Sequence, residues 1–408
     1  MSVVNKIIKL LLGIPIAVIL ILMLIVNDKI HYSPEERITG HDSINYDLLK
    51  ELRGLKNSLH ENADIEMQHR YPEGYIFLNA VYGLAWCNFM EGLDRESEYF
   101  KEGHAEIQRT FNKIDSDIGR SSFNEDLSLS YGAFYTGWST YLLGRKLYLE
   151  PLSKRKEGEV AYFKQKCESI ASSVNEKIYP ESYYGSAWPA DVVLCMATLA
   201  LHDKLFGPHY SEAIKNWLSK VKTKLDIRGL IPHSSNPEDG VPIENARGSS
   251  QSLMLVFLHS LDKEFAQEQF AIYKTNFVDS KFGLTGIREY AKDDLGAGDV
   301  DSGPIILQFG SAATIVGMQT LSLYGEVEMS LRIRNAIEAF GFPFKKGDQK
   351  TYLFGLLPMA DAFITWANSV EAKQGSSPPS FTTFHTYSVF IFIILLAFLY
   401  ILLKIRNS

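Results

Sequence analysis

A chain of 408 residues, 46% hydrophobic and 12% aromatic, is long enough for one large domain or two ordinary ones, and apolar enough to bury a core. A formal charge of −7 and a pI near 5.9 argue against nucleic acid as a partner. Cys87, Cys167 and Cys195 have no CxxC spacing, so they indicate neither a zinc ribbon nor a disulfide framework.

The chain begins and ends on apolar runs. Residues 7–26 carry one charge and match the roughly 20 residues that cross a bilayer; residues 387–403 form a second run. No small-x-small cleavage site precedes Asn27, which favours a retained anchor over a signal peptide. Lys6 and Lys9 lie before or at the start of the first run, and Lys404 and Arg406 follow the second. The positive-inside rule then expects a two-pass membrane protein with both termini cytoplasmic and the central domain extracytoplasmic. The expected division is an anchor over 1–27, a connector over 28–41, a globular domain over 42–370, a Ser/Pro-rich linker over 371–385, and a second span with a basic tail over 386–408.

Between the anchors two kinds of predicted helix alternate. The amphipathic kind, expected to face solvent, covers 42–60, 94–117, 155–176, 208–224, 262–277 and 325–340. The other kind is apolar nearly all round and rich in Gly, Ala, Ser and aromatics, as a helix buried on all sides must be. It covers 74–91, 127–148, 188–206, 247–261, 303–324 and 353–370. Strands are expected over Gly229–His233 and Gly283–Tyr290, paired across one end. An acid stands near the start of each buried helix: Glu73, Asp126, Asp191, Glu244, Asp301 and Asp361, with gaps of 53, 65, 53, 57 and 60 residues. Six helical hairpins at that period make an all-α (α/α)6 toroid, with six inner and six outer helices.

In such a ring the N-termini of the inner helices gather at one end, where free N–H groups and positive helix ends suit hydroxyl-rich or anionic ligands. The first mouth offers Glu73 after Pro72. A first-turn Glu more often complements the helix dipole than catalyses. The second carries the stripe Tyr131, Tyr135 and Trp138, read either as core or as a sugar-stacking platform. The third, Tyr183-Tyr-Gly-Ser-Ala-Trp-Pro-Ala-Asp191, puts an acid at the head of a very apolar run, where it needs a partner or a function. The fourth is a long polar loop holding His233, Glu244, Arg247 and Gln251; Arg247 could pair Glu244 or clamp a ligand anion. The fifth, Gly296–Gly310, delivers Asp299 and Asp301 to a helix expected to open at Pro304. It lacks the Asp-x-Asp-x-Asp-Gly run of a calcium loop, and no metal or cofactor is expected. The sixth, around Asp361, is the least polar.

The outer–inner alternation over about residues 42–370, with aromatic and acidic mouths, resembles the six-hairpin (α/α)6 toroid enzymes, which include glycoside hydrolases, polysaccharide lyases and epimerases. Trp188–Asp191, Glu244–Ser250 and Gly298–Pro304 look loosely like linalool dehydratase/isomerase-type toroids. That resemblance also implies catalytic cysteines, yet Cys87 and Cys195 fall deep inside apolar segments. The first expectation is a membrane-anchored carbohydrate-active hydrolase acting on a glycan or other small-molecule substrate. Asp301, Asp299, Asp191 and Glu244 would carry carboxylate acid/base chemistry, and Arg247, His233, Tyr184, Trp188, Tyr131, Glu73 and Gln251 would bind substrate. The alternatives are a hydro-lyase or isomerase of a small apolar alcohol, and a non-enzymatic envelope scaffold. The partners expected are the substrate and, through the two spans, the lipid bilayer.

Overall fold

The computed structural model describes residues 3–39, 42–300, 302–370 and 378–404. Its centre is a ring of six inner helices: Gly74–Met90, Gly132–Leu149, Pro189–Phe206, Gly248–Leu258, Ser311–Leu323 and Pro358–Asn368. Each packs on the next, and the sixth packs back on the first, so the ring is closed. Outside it lie Tyr46–His60, Glu98–Ile114, Glu157–Glu176, Ser211–Val221, Lys263–Phe277 and Val327–Phe340. This is the (α/α)6 toroid.

The division follows from side-chain pattern. The first inner helix buries every residue but Phe77 and Asn88. The outer helix Glu98–Ile114 instead buries a stripe at three- and four-residue spacing, Phe100, Gly103, Ile107, Phe111 and Ile114, and turns most of its charges outward, Glu106 excepted. Segments leading from an outer to an inner helix are long, and all lie at one end, the mouth. Returns from inner to outer helix, such as 207–210 and 324–326, are short and lie at the other end.

Three expectations change. The fifth inner helix starts at Ser311, not near Pro304. Ile305–Ile306 pairs with Phe309–Gly310 around Leu307 and Gln308, both at positive φ, a conformation that a helix cannot hold. The second starts at Gly132, not 127, because Tyr131 and Gly132 also have positive φ. Gly132 is required there: a Cβ would lie 2.1 Å from the Ser182 carbonyl oxygen. The strand expected at 229–233 is a turn. The Asp226 carboxylate accepts the N–H groups of Arg228, Leu230 and Ala246, which curls the chain away from any ladder. The short pairings seen instead are Ser234–Ser235 with Pro242–Glu244 and Val278–Lys281 with Leu284–Ile287.

The ring closes at a seam between its first and last hairpins. Lys350 Nζ lies 2.9 Å from Glu51 and 2.6 Å from Glu338, and the Tyr352 hydroxyl lies 2.7 and 2.6 Å from the same two carboxylates. All four side chains are buried.

Helices Val3–Lys29 and Thr382–Lys404 are long and apolar enough to cross a membrane. They pack on each other, with Gly13 facing Leu399 and Leu402. At the toroid end, Asn27 donates to Ser388 (2.6 Å), its amide oxygen meets His385 Nδ1 (2.7 Å), and His31 stacks on His385. The second span begins within the expected linker, at Thr382. Residues 371–377 of that linker, and Arg406 in the basic tail, lie outside the described residues.

Candidate active site

The six inner helices converge at the mouth on a cavity of about 330 Å³, to which every mouth contributes. Tyr71, Glu73 and Phe77 come from the first, Phe134 from the second, and Tyr183, Trp188 and Asp191 from the third. His233, Ser249 and Ser250 come from the fourth, Val300, Ser311 and Ile315 from the fifth, and Leu357, Met359 and Phe363 from the sixth. One wall is aromatic: Phe77 meets Phe134 and Phe363 at ring distances of 4.8 and 5.5 Å, and Trp188 stands edge-on to Tyr183. The facing wall is largely aliphatic.

Among the described residues, two carboxylates line this cavity. Glu73 sits where a dipole-complementing acid was expected, and it accepts a hydrogen bond from the Tyr183 hydroxyl at 2.5 Å. Asp191, in the first turn of the third inner helix and nearly buried, accepts one from Ser182 at 2.5 Å. Adjacent residues of one loop therefore hold the two acids. That loop is pinned by the Tyr183–Ser186 bridge and by the bond from Ala133 N–H to the Glu181 carbonyl.

His233 lines the same space and is 6% exposed. Burial, reinforced by the Arg247 charge, pushes its pKa down to about 4, so the ring is neutral at physiological pH. Its Nδ1 is buried and meets no protein hydrogen-bond partner, which leaves it able to pair with a substrate hydroxyl.

Arg247 precedes the fourth inner helix and is gripped on both sides by Glu244 and Asp299, with its guanidinium 5.6 Å from the Tyr290 ring centre. Burial would raise the Asp299 carboxyl, but the bonds from Arg247 and the Ser302 N–H outweigh it and hold it below the usual range. Glu244 and Asp299 thus serve as counter-charges to Arg247 on the exposed rim. Asp301 lies outside the described residues.

The remaining expected binders stand apart from the cavity. Tyr131 packs on Tyr135 and beneath Arg120, Tyr184 is 56% exposed and donates to Asp126, and Gln251 is buried and donates to the Ile231 carbonyl. Tyr135 and Trp138 are core residues. Cys87 and Cys195 are fully enclosed, and burial raises both thiols, Cys87 to about 12.

Behind Ser249 lies Glu289, wholly buried and accepting the Ser249 hydroxyl at 2.7 Å. Burial raises its pKa to about 7, partly opposed by the Ser249 bond. In the sequence Glu289 is one of several acids between 289 and 301. Its one local signal is that it stands two residues past the strand Leu284–Ile287.

No protein-family profile and no curated protein matches the chain. Solved structures similar to it include an α-mannanase of family GH76 from Bacteroides thetaiotaomicron (TM-score 0.45, 10% identity, 72% of this chain and 85% of that one). Another is a family 105 glycoside hydrolase from C. acetobutylicum (TM-score 0.45, 13% identity, 78% and 98%). Both are (α/α)6 toroid enzymes, the fold that ring closure gives this chain.

Proposed function

We propose that this protein is a membrane-anchored hydrolase of glycosidic bonds, with Glu73 and Asp191 sharing the acid and base or nucleophile roles. The supporting observation is that these two carboxylates line one aromatic-walled cavity, each accepting an oriented hydroxyl. Glycoside cleavage needs such a pair on either side of a bond, one to protonate the leaving oxygen and one to attack or activate water. Trp188 and Phe77 line the cavity as aromatic surface for a sugar ring, and the unpartnered His233 Nδ1 offers a hydrogen-bonding site for a sugar hydroxyl. An extracytoplasmic site for the ring, expected from the flanking lysines, fits a glycan substrate. A non-enzymatic scaffold predicts scattered, solvated acids, which a shared cavity speaks against.

The test uses the full chain against a panel of aryl glycosides and oligosaccharides. Glu73→Gln and Asp191→Asn should each reduce turnover about 100-fold or more while leaving the thermal melt in place. Either variant keeping more than about a tenth of wild-type turnover would refute the pair. The aliphatic wall formed by Leu253, Ile315, Val316, Leu357 and Met359 favours a second reading, a hydro-lyase or isomerase of a small apolar alcohol. Terpenoid alcohols in the same panel separate the two readings.

A further inference from the structure

The large apolar side chains left exposed on the toroid are not spread over it. Among the described residues outside the two spans, all but Leu152 and Leu323 lie at the mouth end. The exposed set is densest around the fifth and sixth mouths, with Ile306 68%, Leu307 53%, Phe342 47%, Phe354 64% and Leu356 75% exposed. A soluble surface seldom gathers so many on one face without a partner. Backbone conformation singles out the same places. Phe282, Leu307, Phe342, Leu353 and Phe354 all hold positive φ, which costs a bulky residue energy, and all five present their side chains outward.

The two apolar helices leave the toroid from this same end. Phe381 lies beneath Arg332, in the second turn of the sixth outer helix. One turn on, Phe384 meets Phe340 at the end of that helix and the backbone of Gly283. Tyr387 then meets Phe282 at the hairpin tip. Beyond Tyr387 the helix packs on its partner helix and is otherwise largely exposed. The polar cluster of Asn27, His31 and His385 lies at the level of Phe384 and Tyr387, where headgroups belong. The aromatic contacts continue sideways from the spans onto the rim of the sixth mouth, from Phe342 to Phe354 to Phe344.

From this we infer that the mouth face of the toroid is seated on the lipid surface from which its two helices emerge, with Phe282, Ile306, Leu307, Phe342, Phe354 and Leu356 entering the headgroup–acyl boundary. The occupant is the bilayer itself, because the patch is continuous with the helices that cross it. Apolar side chains on an interfacial element reach roughly 5–10 Å into that boundary. The cavity therefore opens toward lipid rather than toward bulk water. This seating does not depend on which bond the cavity cleaves.

The test uses the full chain in phospholipid vesicles. Cys87, Cys167 and Cys195 are buried, so an introduced cysteine can be labelled selectively with bimane. Labels at Ile306→Cys and Leu356→Cys should lose at least half their fluorescence when the phosphatidylcholine carries a nitroxide on its acyl chain, while one at Leu152→Cys on the opposite end should be unaffected. As a check free of substitutions, the unmodified chain should be crosslinked by a diazirine-tailed phosphatidylcholine within 282–307 and 340–356. Quenching at 306 and 356 no greater than at 152, with no crosslinks in those segments, overturns the seating. So does concentration-dependent energy transfer between labelled copies without quenching, which would put a second copy on this face.

Discussion

Glu289 is a carboxyl group that folding strips of water while giving it one hydroxyl and one distant N–H as partners. Burial lifts its pKa from 4.5 to about 7, and burial likewise lifts Asp361 from 3.8 to about 7. Because the folded pKa exceeds the unfolded one, the folded chain binds more protons between these limits. The stability held by the neutral forms is complete below about pH 4 and is lost as pH rises through 7. Melting of the full chain should therefore fall between pH 5 and 8, and Glu289→Gln should flatten that slope; an unchanged slope would show that the group titrates normally. Candidate acids at the mouth were legible from their place before each buried helix, and Glu73 and Asp191 do share a cavity. Their partners were not. Tyr183 lies 110 residues from Glu73, and Arg247 reaches Asp299 across 52, distances over which composition carries no signal.

Helices were the most readable elements, because burial on one face and burial all round leave different residue patterns. The loops between them were misread where non-glycine residues adopt positive φ, as at Tyr131, Leu307 and Gln308, since nothing in those side chains announces the turn. Where the loops meet the inner helices, the fit is tight. A Cβ on Gly248, at the head of the fourth inner helix, would stand 1.9 Å from the Arg288 carbonyl oxygen. Both groups are backbone, so neither can swing aside. Gly248→Ala should shift the fourth helix away from the 288–290 segment, cost about 2–4 kcal/mol in chemical denaturation, and loosen the Ser249–Glu289 contact. Wild-type stability in that variant would mean that the two segments are free to separate.

At the scale of the whole molecule the seam joins the first and last hairpins through a buried cluster of charges. Lys350 is the cation between two buried acids, and Lys350→Met would leave Glu51 and Glu338 facing each other without it. We expect a loss of about 3–5 kcal/mol, seen as a lower melting temperature, with much of it regained when both acids are also made Gln. No loss in the single variant would mean that the seam is held by packing alone. The six-fold repeat was readable because each hairpin rewrites the same pattern. The seam was not, because its groups lie about 300 positions apart and each looks like an ordinary surface charge.

A ring assembled from consecutive pieces also has a timetable. Five of its six junctions join hairpins that leave the ribosome one after another, so each can form as soon as its second member appears. The sixth cannot form until Lys350, Tyr352 and the helix Pro358–Asn368 have been made, when nearly the whole domain is already out. Until then the first hairpin keeps an apolar flank bare, with Glu51 waiting for its cation. Closing so long a loop is slow, and exposed flanks invite aggregation in the interval. The apolar N-terminal helix is synthesised first and, as the membrane anchor proposed above, would hold that unfinished edge at the bilayer while the remaining five hairpins are added.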